Sequence, residues 1–394
     1  MSQPVIVSAC RTPIGRFMGG LSSFKAPRLG ALVVEESLKR AGADPKEIDE
    51  VFMGTVLQAG QGQNPARQAA LWGGLPETVS ACTINKVCGS GLESVMLAAR
   101  GILAGETEAA VAGGFEVMSQ APYLLPQARA GMRLGHAQCL DEMIQDGLWD
   151  VYNDYHMGMT AELVASEYGI SREEQDAYAA ESQRRAVAAI EAGKFAPEIL
   201  PVEVKGRKGE VTVIDTDEGP RPGTTVEKLS KLRPAFKPDG GTVTAGNSST
   251  INDGAAAVTV FSEDKAKALG LKPMARILGY ATGGMAPQWV MMAPEVAFEK
   301  VCALTRINLK DFDLIELNEA FAVQAVALTK KLGLDPAKVN VNGGAVALGH
   351  PIGCSGARLL VTLIHALKDR GLSRGVAGLC LGGGNAVAMA VELM

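Results

Sequence analysis

The stretch Ala81–Leu103, ACTINKVCGSGLESVMLAARGIL, decides how this 394-residue chain folds. Its residues predict a short strand over Ala81–Val87, a tight turn at Cys88–Gly91, and then a helix with one apolar face. A cysteine at the junction of strand and helix lies over the helix N-terminus, where free N–H groups and the helix dipole stabilise a thiolate. The pattern predicts a nucleophile elbow with cysteine in place of serine. Taken alone, Cys88 is also compatible with a buried cysteine in an ordinary strand–turn–helix.

Length and composition restrict the class of protein. The chain is long enough for two or three core units. Hydrophobic residues make up 47% and charged residues 21%, with 46 glycines, a profile typical of a soluble α/β protein with many tight turns. The net charge of −5 argues against a nucleic-acid binder. No apolar run is expected to approach a membrane span, and Met1–Thr12 does not read as a signal or transit peptide.

The seven cysteines are scattered, without a CxxC pair or metal-ligand spacing. We therefore expect reduced thiols, no metal site and a cytoplasmic protein. Nucleotide-binding patterns of the GxGxxG or Walker type are also missing, which argues against a phosphate-binding protein without covalent chemistry.

Strand and helix patterns alternate in the first 118 residues. The predicted strands are Pro4–Ser8, Glu50–Val56 and Ala109–Ala112, the last ended by Gly113-Gly114, and the predicted helices are Leu29–Ala41 and Asn64–Trp72. Such alternation favours a mainly parallel sheet with helices on its faces.

Between Met118 and Ala245 the sequence becomes rich in proline, glycine and polar residues. It contains one long predicted helix, Ser171–Ala192, which Ser171 and Glu174 begin with a capping box. We interpret this region as a large insertion that lies over the top of the sheet.

Strand and helix patterns then resume. The predicted strands are Ala255–Phe261, Met274–Tyr280, Leu314–Leu317, Val376–Cys380 and Asn385–Glu392, and the predicted helices are Pro294–Thr305, Glu319–Lys331 and Gly356–Arg370. The second half repeats the order of the first, which predicts a duplicated fold.

Three segments after residue 310 carry residues suited to chemistry. NEAFA, Asn318–Ala322, follows a strand, where Asn318 could also be a plain helix N-cap. NGGAVALGHPIGCSG, Asn342–Gly356, places His350 among glycines, with Pro351 biasing it away from helical angles. CLGGG, Cys380–Gly384, puts a cysteine at a strand end before a turn that lets a ligand approach backbone N–H groups.

With these segments the sequence resembles the thiolase family over its whole length. The matching stretches, in the family's order, are VCGSG (Val87–Gly91), YHMG (Tyr155–Gly158), AGNSSTINDGAA (Ala245–Ala256), NEAFA (Asn318–Ala322), GGAVALGHPIGCSGAR (Gly343–Arg358) and CLGGG (Cys380–Gly384). The resemblance implies a five-layered αβαβα fold of two similar halves plus an inserted loop domain. The implied N-terminal half covers residues 1–269, with its core at about 1–118 and 246–269 and the loop domain at about 119–245. The C-terminal half covers 270–394.

The resemblance also implies a role for each site residue. Cys88 would take an acyl group from acyl-CoA as a thioester, and His350 would take the Cys88 proton. Cys380 would remove a proton from the methyl carbon of a second acetyl-CoA. Asn318, through a water, would serve the enolate oxygen together with His350. The backbone N–H groups of Cys88 and Gly382 would serve the tetrahedral oxyanion.

Coenzyme A is expected as substrate and product, with no resident cofactor. By resemblance, six residues hold it: His156, Met157, Ser249, Arg221, Ala245 and Phe321. Four further basic residues could help to bind its phosphates: Lys228, Lys231, Arg233 and Lys237. A charge run of that kind is also typical of a solvated surface.

Two segments bear on assembly and chain length. The apolar loop Gln120–Arg133 matches the tetramerisation loop of biosynthetic thiolases, so we expect a homotetramer. Arg133–Gly158 matches the covering segment of the acetyl-specific branch. However, Val290 stands where that branch has a methionine near the acyl group, while Met291 and Met292 replace smaller residues.

The expected function is therefore acetyl-CoA C-acetyltransferase, which joins two acetyl-CoA into acetoacetyl-CoA and CoA, or runs the reverse thiolysis. A 3-ketoacyl-CoA thiolase for longer chains, acting in fatty acid β-oxidation, remains the main alternative. A carrier-protein ketosynthase would need a Cys-His-His set in place of Cys-His-Cys. A non-catalytic CoA- or nucleotide-binding protein is the alternative of another class.

Overall fold

The two halves of the chain each contribute strands to one continuous sheet. A computed structural model describes residues 2–206 and 208–394. The first half begins, in chain order, with β1 (Pro4–Arg11), α1 (Ala26–Ala41), β2 (Glu50–Gly54), α2 (Pro65–Trp72), β3 (Ser80–Ile84), α3 (Ser90–Ala104) and β4 (Ala109–Val117).

The inserted region follows β4. Its regular elements are α4 (Met157–Glu167), α5 (Arg172–Glu191), β5 (Val202–Lys205), β6 (Val211–Ile214) and α6 (Val226–Leu229). Two pairs of two-residue strands and the π-helix Met143–Leu148 precede α4. The predicted capping box is confirmed, because Ser171 and Glu174 bond each other's backbone N–H at the start of α5.

The chain then returns to the sheet and completes both halves. These elements are β7 (Asn252–Ser262), α7 (Glu263–Ala268), β8 (Ala275–Gly284), α8 (Pro294–Thr305), β9 (Leu314–Leu317), α9 (Ala322–Leu332), α10 (Ala345–Leu348), α11 (Ile352–Arg370), β10 (Arg374–Leu381) and β11 (Asn385–Leu393).

The strand order displays the predicted duplication. The sheet runs β9-β10-β11-β8-β1-β7-β4-β2-β3, with a two-residue strand, Gly15–Arg16, also paired to β7. Read outward from the β8–β1 junction, each half places its first strand, then its last, its last but one and its second: β1, β7, β4 and β2 in one half, and β8, β11, β10 and β9 in the other. An isolated parallel bridge between Ile315 and Val339 stands at the position that β3 has in the first half.

The prediction of a mainly parallel sheet is wrong. Among the residues that the structure describes, only β2–β3, β2–β4 and β9–β10 are parallel pairs in this sheet, while five other pairs of the labelled strands are antiparallel. Four of the five antiparallel pairs involve the last strand of a half, β7 or β11, and neither strand is reached through a simple βαβ crossover, because the long insertion precedes β7. In the second half β10 turns directly into β11 at Gly382–Gly384, and a direct turn of this kind makes antiparallel neighbours.

Helices cover both faces of each half and fill the space between the halves. The central helices α3 and α11 pack against each other and against strands of both halves. On the outer faces, α1 packs on β1, β4 and β7 with α2 beside it, and α8 packs on β8, β10 and β11. The result is the expected five-layered αβαβα arrangement, in which the central helices carry the residues next to Cys88 and His350.

The stretch Val87–Ala104 corrects the expectation that no apolar run approaches a membrane span. Its 18 residues have a mean hydropathy of 1.3, and 67% of them are buried. They include all of α3, which lies in the central layer. The composition thus fits a helix packed on both sides by protein.

Gly113 and Gly114 do not end β4, as the sequence predicted, because the strand continues to Val117. A Cβ atom on Gly113 would lie 2.1 Å from the carbonyl oxygen of Ala256, and one on Gly114 would lie 2.1 Å from that of Gly353. The two glycines therefore permit close backbone approach within the sheet and to the start of α11.

Some helix and strand boundaries differ from the predictions near the site. The strand predicted to reach Val87 ends at Ile84, and the helix predicted from Gly356 begins four residues earlier at Ile352. The helix predicted from Glu319 begins only at Ala322. Glu319 stays outside it because its carboxylate is bonded to other segments, as described below.

A buried arginine ties the insertion to the sheet. Arg11, at the end of β1, is fully buried and donates to Glu198 at 2.6 Å and to both carboxylate oxygens of Asp217 at 2.6 and 2.9 Å. Both carboxylates belong to the inserted region. The insertion is thereby fixed over the strand ends.

Candidate active site

The predicted turn between β3 and α3 is present and is tightly built. Val87 has a φ of +47°, a conformation that costs energy for a β-branched residue. The Ser90 hydroxyl stabilises it by accepting from Lys86 N–H at 2.8 Å and donating to the Val87 carbonyl at 2.6 Å. A Cβ on Gly89 would lie 2.0 Å from Leu381 Cδ2, so only glycine fits. The turn presents Cys88 at the start of the helix.

The Cys88 thiol is not the acidic thiol that the helix position predicted. Burial raises its pKa from 9.0 to about 12, although the backbone N–H groups of Gly382 and of Cys88 itself lower the pKa in part. Desolvation of the thiolate outweighs the favourable backbone dipoles. At neutral pH Cys88 is therefore a neutral thiol that needs a base to become a nucleophile.

A cavity of about 180 Å³ brings most of the predicted site residues together. Those that line it are Cys88, His350, Cys380, Gly382, His156, Met157, Ser249 and Phe321. Its remaining wall is largely apolar and includes Ile144, Gly147 and Leu148 from the covering segment, together with Val290 and Met291. Met292 does not line it and is fully buried elsewhere. Two thiols, of Cys88 and Cys380, and two imidazoles, of His350 and His156, thus share a small and largely apolar space.

His350 is held as a neutral base. Its Nδ1 lies 2.6 Å from the Ser355 Oγ, which also lies 2.9 Å from the Pro351 carbonyl. Because a carbonyl only accepts, the Ser355 hydroxyl donates to it, and the His350 Nδ1–H donates to the hydroxyl. Nε2 then carries a lone pair and has no hydrogen-bond partner among the described residues. Burial lowers the pKa of His350 to about 3, and the positive charge of Arg358 adds to this effect.

Cys380 ends β10 and is also buried. Burial raises its pKa well above the ordinary value, and the neighbouring Cys88 raises it further. The Gln324 side chain opposes this and lowers the pKa. Gln324 is fully buried at the start of α9 and was not identified from the sequence. Its only signal was its position two residues after the NEAFA motif.

Asn318 is placed differently from the other predicted residues, because it lines neither this cavity nor the larger one described below. It is fully buried, and its amide oxygen and nitrogen have no partner among the described residues. Since α9 begins at Ala322, Asn318 is not the helix N-cap. Its amide can therefore both donate to and accept from a further polar group.

Glu319 fixes the NEAFA segment in this position. Its carboxylate accepts from the Tyr178 and Ser182 hydroxyls at 2.9 and 2.7 Å, and from the Asn340 amide at 2.9 Å. The Val346 N–H is a fourth donor at 3.0 Å. These bonds join the insertion to the second half of the sheet and keep the segment extended.

His156 begins α4 and faces the cavity. Its Nδ1 accepts from the Gly158 N–H at 3.0 Å, so the neutral ring carries its proton on Nε2 and can donate to a carbonyl. Burial lowers its pKa, which favours that neutral form. Phe236 stacks on the ring with centroids 4.7 Å apart. Sequence reasoning missed Phe236, which lies inside the basic run and carries no local signal.

A second cavity of about 540 Å³ adjoins the first through shared residues, Ser249, Thr250 and Ile251. Arg221 and Ala245, both predicted to bind coenzyme A, line it. The exposed basic residues Lys228, Lys231, Arg233 and Lys237 line neither cavity. Lys228 instead donates to the Gly223 carbonyl at 2.6 Å. The two connected spaces suit a long ligand with its reactive end at Cys88.

This arrangement is suited to acyl transfer. A thiol beside a neutral imidazole can attack a carbonyl, and the N–H groups of Cys88 and Gly382 can stabilise the resulting oxyanion. A second thiol on the same cavity can carry a proton to or from a neighbouring carbon or sulfur. The apolar wall excludes water, which would otherwise hydrolyse an acyl intermediate.

Two family models match nearly the whole chain. "Thiolase, N-terminal domain" matches residues 4–264, and "Thiolase, C-terminal domain" matches residues 271–393. Among curated proteins, an acetyl-CoA acetyltransferase of Pseudomonas aeruginosa is 56% identical over 389 residues, or 99% of both chains. An acetyl-CoA acetyltransferase of Cupriavidus necator is 56% identical over 392 residues and 100% of both chains.

Two further proteins extend the comparison. A probable acetyl-CoA acyltransferase of Staphylococcus aureus is 54% identical over 392 residues, covering 100% of this chain and 99% of that protein. Among solved structures, the crystal structure of the Bacillus anthracis acetyl-CoA acetyltransferase superposes with a TM-score of 0.98 at 46% identity. That match covers 100% of this chain and 99% of the other.

Proposed function

The chain belongs to the thiolase family, and on that premise we propose that it is an acetyl-CoA C-acetyltransferase that condenses two acetyl-CoA into acetoacetyl-CoA and CoA. The full-length relatives at 56% identity bear that name. They support this activity over that of a binding protein without covalent chemistry.

The single observation that carries the proposal is the cavity shared by Cys88, His350 and Cys380. Its volume of about 180 Å³ must hold the thioester end of the substrate as well as the acyl group. Ligand pockets for drug-sized molecules are typically roughly 300–1,000 Å³, so little room remains for a long chain. The small volume favours acetyl over longer acyl groups.

In the first half-reaction His350 Nε2 takes the Cys88 proton as the sulfur attacks the acetyl-CoA carbonyl. The N–H groups of Cys88 and Gly382 face the tetrahedral oxyanion. When that intermediate collapses, the bond to the coenzyme A sulfur breaks and Cys380 supplies the leaving sulfur with a proton. Cys88 is then acetylated, and Cys380 is a thiolate.

In the second half-reaction the Cys380 thiolate takes a methyl proton from a second acetyl-CoA. The enolate oxygen is stabilised by protonated His350 and by the Asn318 amide acting through a water. The enolate carbon attacks the Cys88 thioester, and the Cys88 sulfur leaves and regains its proton from His350. All three side chains return to their starting protonation states, and acetoacetyl-CoA is released.

We infer that coenzyme A occupies the larger cavity as substrate and product, and the steps above use no resident cofactor. Ser249 lies where the two cavities meet, Arg221 lines the outer one, and His156 can donate to a thioester or pantetheine carbonyl. We place the enzyme in the cytoplasm, because its seven cysteines are all free and its nucleophile must stay reduced.

A homotetramer is supported by two exposed features. Within the described part of the chain the edge strand β3 pairs with β2 alone, which leaves its other edge open for pairing with a second chain. Three large apolar side chains of the loop Gln120–Arg133 are exposed, namely Tyr123 at 67%, Leu125 at 51% and Met132 at 40%. A surface of this kind is typical of a subunit interface.

One observation favours the alternative of a 3-ketoacyl-CoA thiolase. Val290 lines the acyl cavity where the acetyl-specific branch would have a longer side chain, and each extra methylene accommodated is worth about 1 kcal/mol. We expect the next homologues of acetoacetyl-CoA to react measurably, but less well than acetoacetyl-CoA itself.

A steady-state thiolysis assay with 3-ketoacyl-CoA substrates of increasing length tests the proposal. We expect the highest kcat/KM for acetoacetyl-CoA. A higher kcat/KM for 3-ketoacyl-CoA substrates of six or more carbons would refute acetyl specificity and support the 3-ketoacyl-CoA thiolase. If no substrate is cleaved and acetyl-CoA leaves no acetyl group on the protein, the non-catalytic alternative is correct.

A further inference from the structure

Glu116 is a fully buried carboxylate at the end of β4 that the mechanism above does not use. It accepts four hydrogen bonds. The Thr55 hydroxyl and Leu57 N–H donate to Oε1 at 2.9 and 3.2 Å, and the N–H groups of Val56 and Gly353 donate to Oε2 at 2.9 Å each. One side chain thereby joins three segments: β4, the loop after β2, and the start of α11.

These donors do not line the acyl cavity themselves, but they lie directly behind residues that do. Gly353 follows Ile352, which lines the cavity, and lies three residues after His350. Ile352 also packs with Val56, Leu57 and Cys88 in one buried apolar cluster. The carboxylate occupies the space beside Gly353, because a Cβ there would lie 2.6 Å from Glu116 Oε2. Gly353 therefore has no room for a side chain, because Glu116 and the backbone of Thr55 and Phe115 occupy that space.

Glu116 also places a buried negative charge close enough to Cys88 to act on its thiol. It forms none of the ion pairs found among residues 2–206 and 208–394. Burial raises its pKa to about 7, while the four hydrogen bonds lower it in part. Its negative charge raises the pKa of Cys88.

The other groups that face Cys88 come from different elements. His350 precedes α11 and is neutral, Cys380 ends β10 and is protonated, and the Gly382 N–H follows it. His156, at the start of α4, is also favoured in its neutral form. Of the titratable groups His350, Cys380, His156 and Glu116, it is therefore Glu116 that carries a negative charge above neutral pH.

We propose that Glu116 is a positioning residue for the acyl transfer, which clamps the segment carrying His350 and Ile352 to the loop after β2. This inference rests on the proposed function, because it assigns Glu116 an effect on the reaction of Cys88. Glu116 touches no reacting atom, and it acts through the Gly353 N–H and through its charge.

Two substitutions remove different parts of the clamp. Glu116→Leu removes all four acceptors. Glu116→Gln keeps one carbonyl oxygen for Val56 and Gly353, and its new NH₂ group can donate to the Thr55 hydroxyl, leaving only the Leu57 N–H without an acceptor. Glu116→Gln also removes the negative charge. Glutamine should therefore preserve the clamp that leucine destroys, while both variants make the Cys88 thiol more acidic.

Glu162→Gln is the matched control. Glu162 is likewise buried and accepts from two backbone N–H groups and a threonine hydroxyl, those of Thr242 and Val243. It lies in the inserted region and contacts neither His350 nor the loop after β2. The Glu162→Gln variant shows how far the loss of a similarly bonded buried carboxylate, away from Cys88, changes the same three measurements.

The experiment compares these three variants with the unaltered protein by three measurements. They are amide hydrogen exchange in the 350–356 segment, iodoacetamide alkylation of Cys88 against pH, and steady-state thiolysis of acetoacetyl-CoA. We expect Glu116→Leu to lose exchange protection in that segment and to lower kcat about 100-fold, as for a misplaced catalytic group, with KM little changed. Glu116→Gln should keep the protection and most of kcat. Both should move Cys88 alkylation to lower pH, and Glu162→Gln should not.

The proposal is overturned if Glu116→Leu leaves the 350–356 protection unchanged, or if Glu162→Gln shifts Cys88 alkylation as much as Glu116→Gln does. Hydrogen exchange and alkylation need no turnover. A protein that cleaves no 3-ketoacyl-CoA would therefore refute the proposed function, while these two measurements would still decide whether Glu116 clamps the segment.

Discussion

Ser355→Ala tests how His350 is kept in its basic form. In the native protein the Ser355 hydroxyl donates to the Pro351 carbonyl and accepts from His350 Nδ1–H at 2.6 Å. Alanine removes the acceptor and leaves that N–H buried without a partner. The imidazole can then turn, or move its proton to Nε2, and in either case it no longer offers a lone pair to Cys88.

The magnitude follows from the burial of the ring. A buried donor left without an acceptor costs about 1–3 kcal/mol. At 1.36 kcal/mol per factor of ten, this corresponds to a loss of about 5- to 150-fold in kcat/KM. The loss should appear in the rate at which acetyl-CoA acetylates Cys88, measured by quenched-flow mass spectrometry. Binding of CoA should change little, because Ser355 lines neither cavity.

Ser94→Ala is the control, since Ser94 is a buried serine that donates to the carbonyl four residues earlier in α3, as Ser355 does to Pro351. It contacts no catalytic side chain, so its acylation rate should remain native. Native acylation in folded Ser355→Ala, or an equal loss in both variants, would refute the assigned tautomer.

Three further predictions address specificity, stability and pH. Val290→Met should narrow the acyl cavity and raise the preference for acetoacetyl-CoA over a six-carbon 3-ketoacyl-CoA by about fivefold in kcat/KM, and an unchanged ratio would contradict this. Arg11→Met leaves two buried carboxylates unpaired and should lower the free energy of unfolding in urea by about 3–5 kcal/mol, whereas Arg184→Met, at an exposed ion pair, should cost less than about 1 kcal/mol. Burial raises the pKa of Cys88 to about 12, so the neutral thiol predominates at pH 7. The rate of Cys88 alkylation by iodoacetamide should therefore still increase with pH at pH 9. A rate that levels off near pH 6 would mean an acidic thiol.

Local turn chemistry made much of the site predictable from the sequence. The turn at Cys88–Gly91 and the one after Cys380 are set by glycines within a few residues, so their position can be read without knowing the rest of the fold. The repeated order of strands and helices likewise predicted the two halves. The full-length family match confirms the resemblance that the six motifs indicated.

Features that depend on distant contacts were misread or missed. Gly113 and Gly114 were read as a turn. Glycine is needed there because the backbone of Ala256 and Gly353 comes so close that a side chain would not fit. Phe236 stacks on a ring eighty positions away, and nothing in its own neighbourhood indicates this. The prediction of a mainly parallel sheet was wrong because strand direction depends on which strands are joined by a helical crossover and which by a direct turn or an insertion.

Electrostatics was the least predictable property of the site. The helix N-terminus beside Cys88 is visible in the sequence, and it does lower the pKa of the thiol through backbone N–H groups. How far burial outweighs those groups depends on packing contributed by both halves and by the insertion. Ser355, in contrast, stood inside a quoted motif, and its spacing from His350 could have identified it.

The most direct test of the account uses variants that each lack one cysteine and measures their acetylation by acetyl-CoA alone. The unaltered protein and Cys380→Ala should each carry one acetyl group, on Cys88, and Cys88→Ala should carry none. Cys380→Ala should also fail to exchange the methyl protons of acetyl-CoA with deuterium. Loss of acetylation in a folded Cys380→Ala, or an acetyl group on any residue other than Cys88, would contradict the assignment of Cys88 as nucleophile and Cys380 as acid and base.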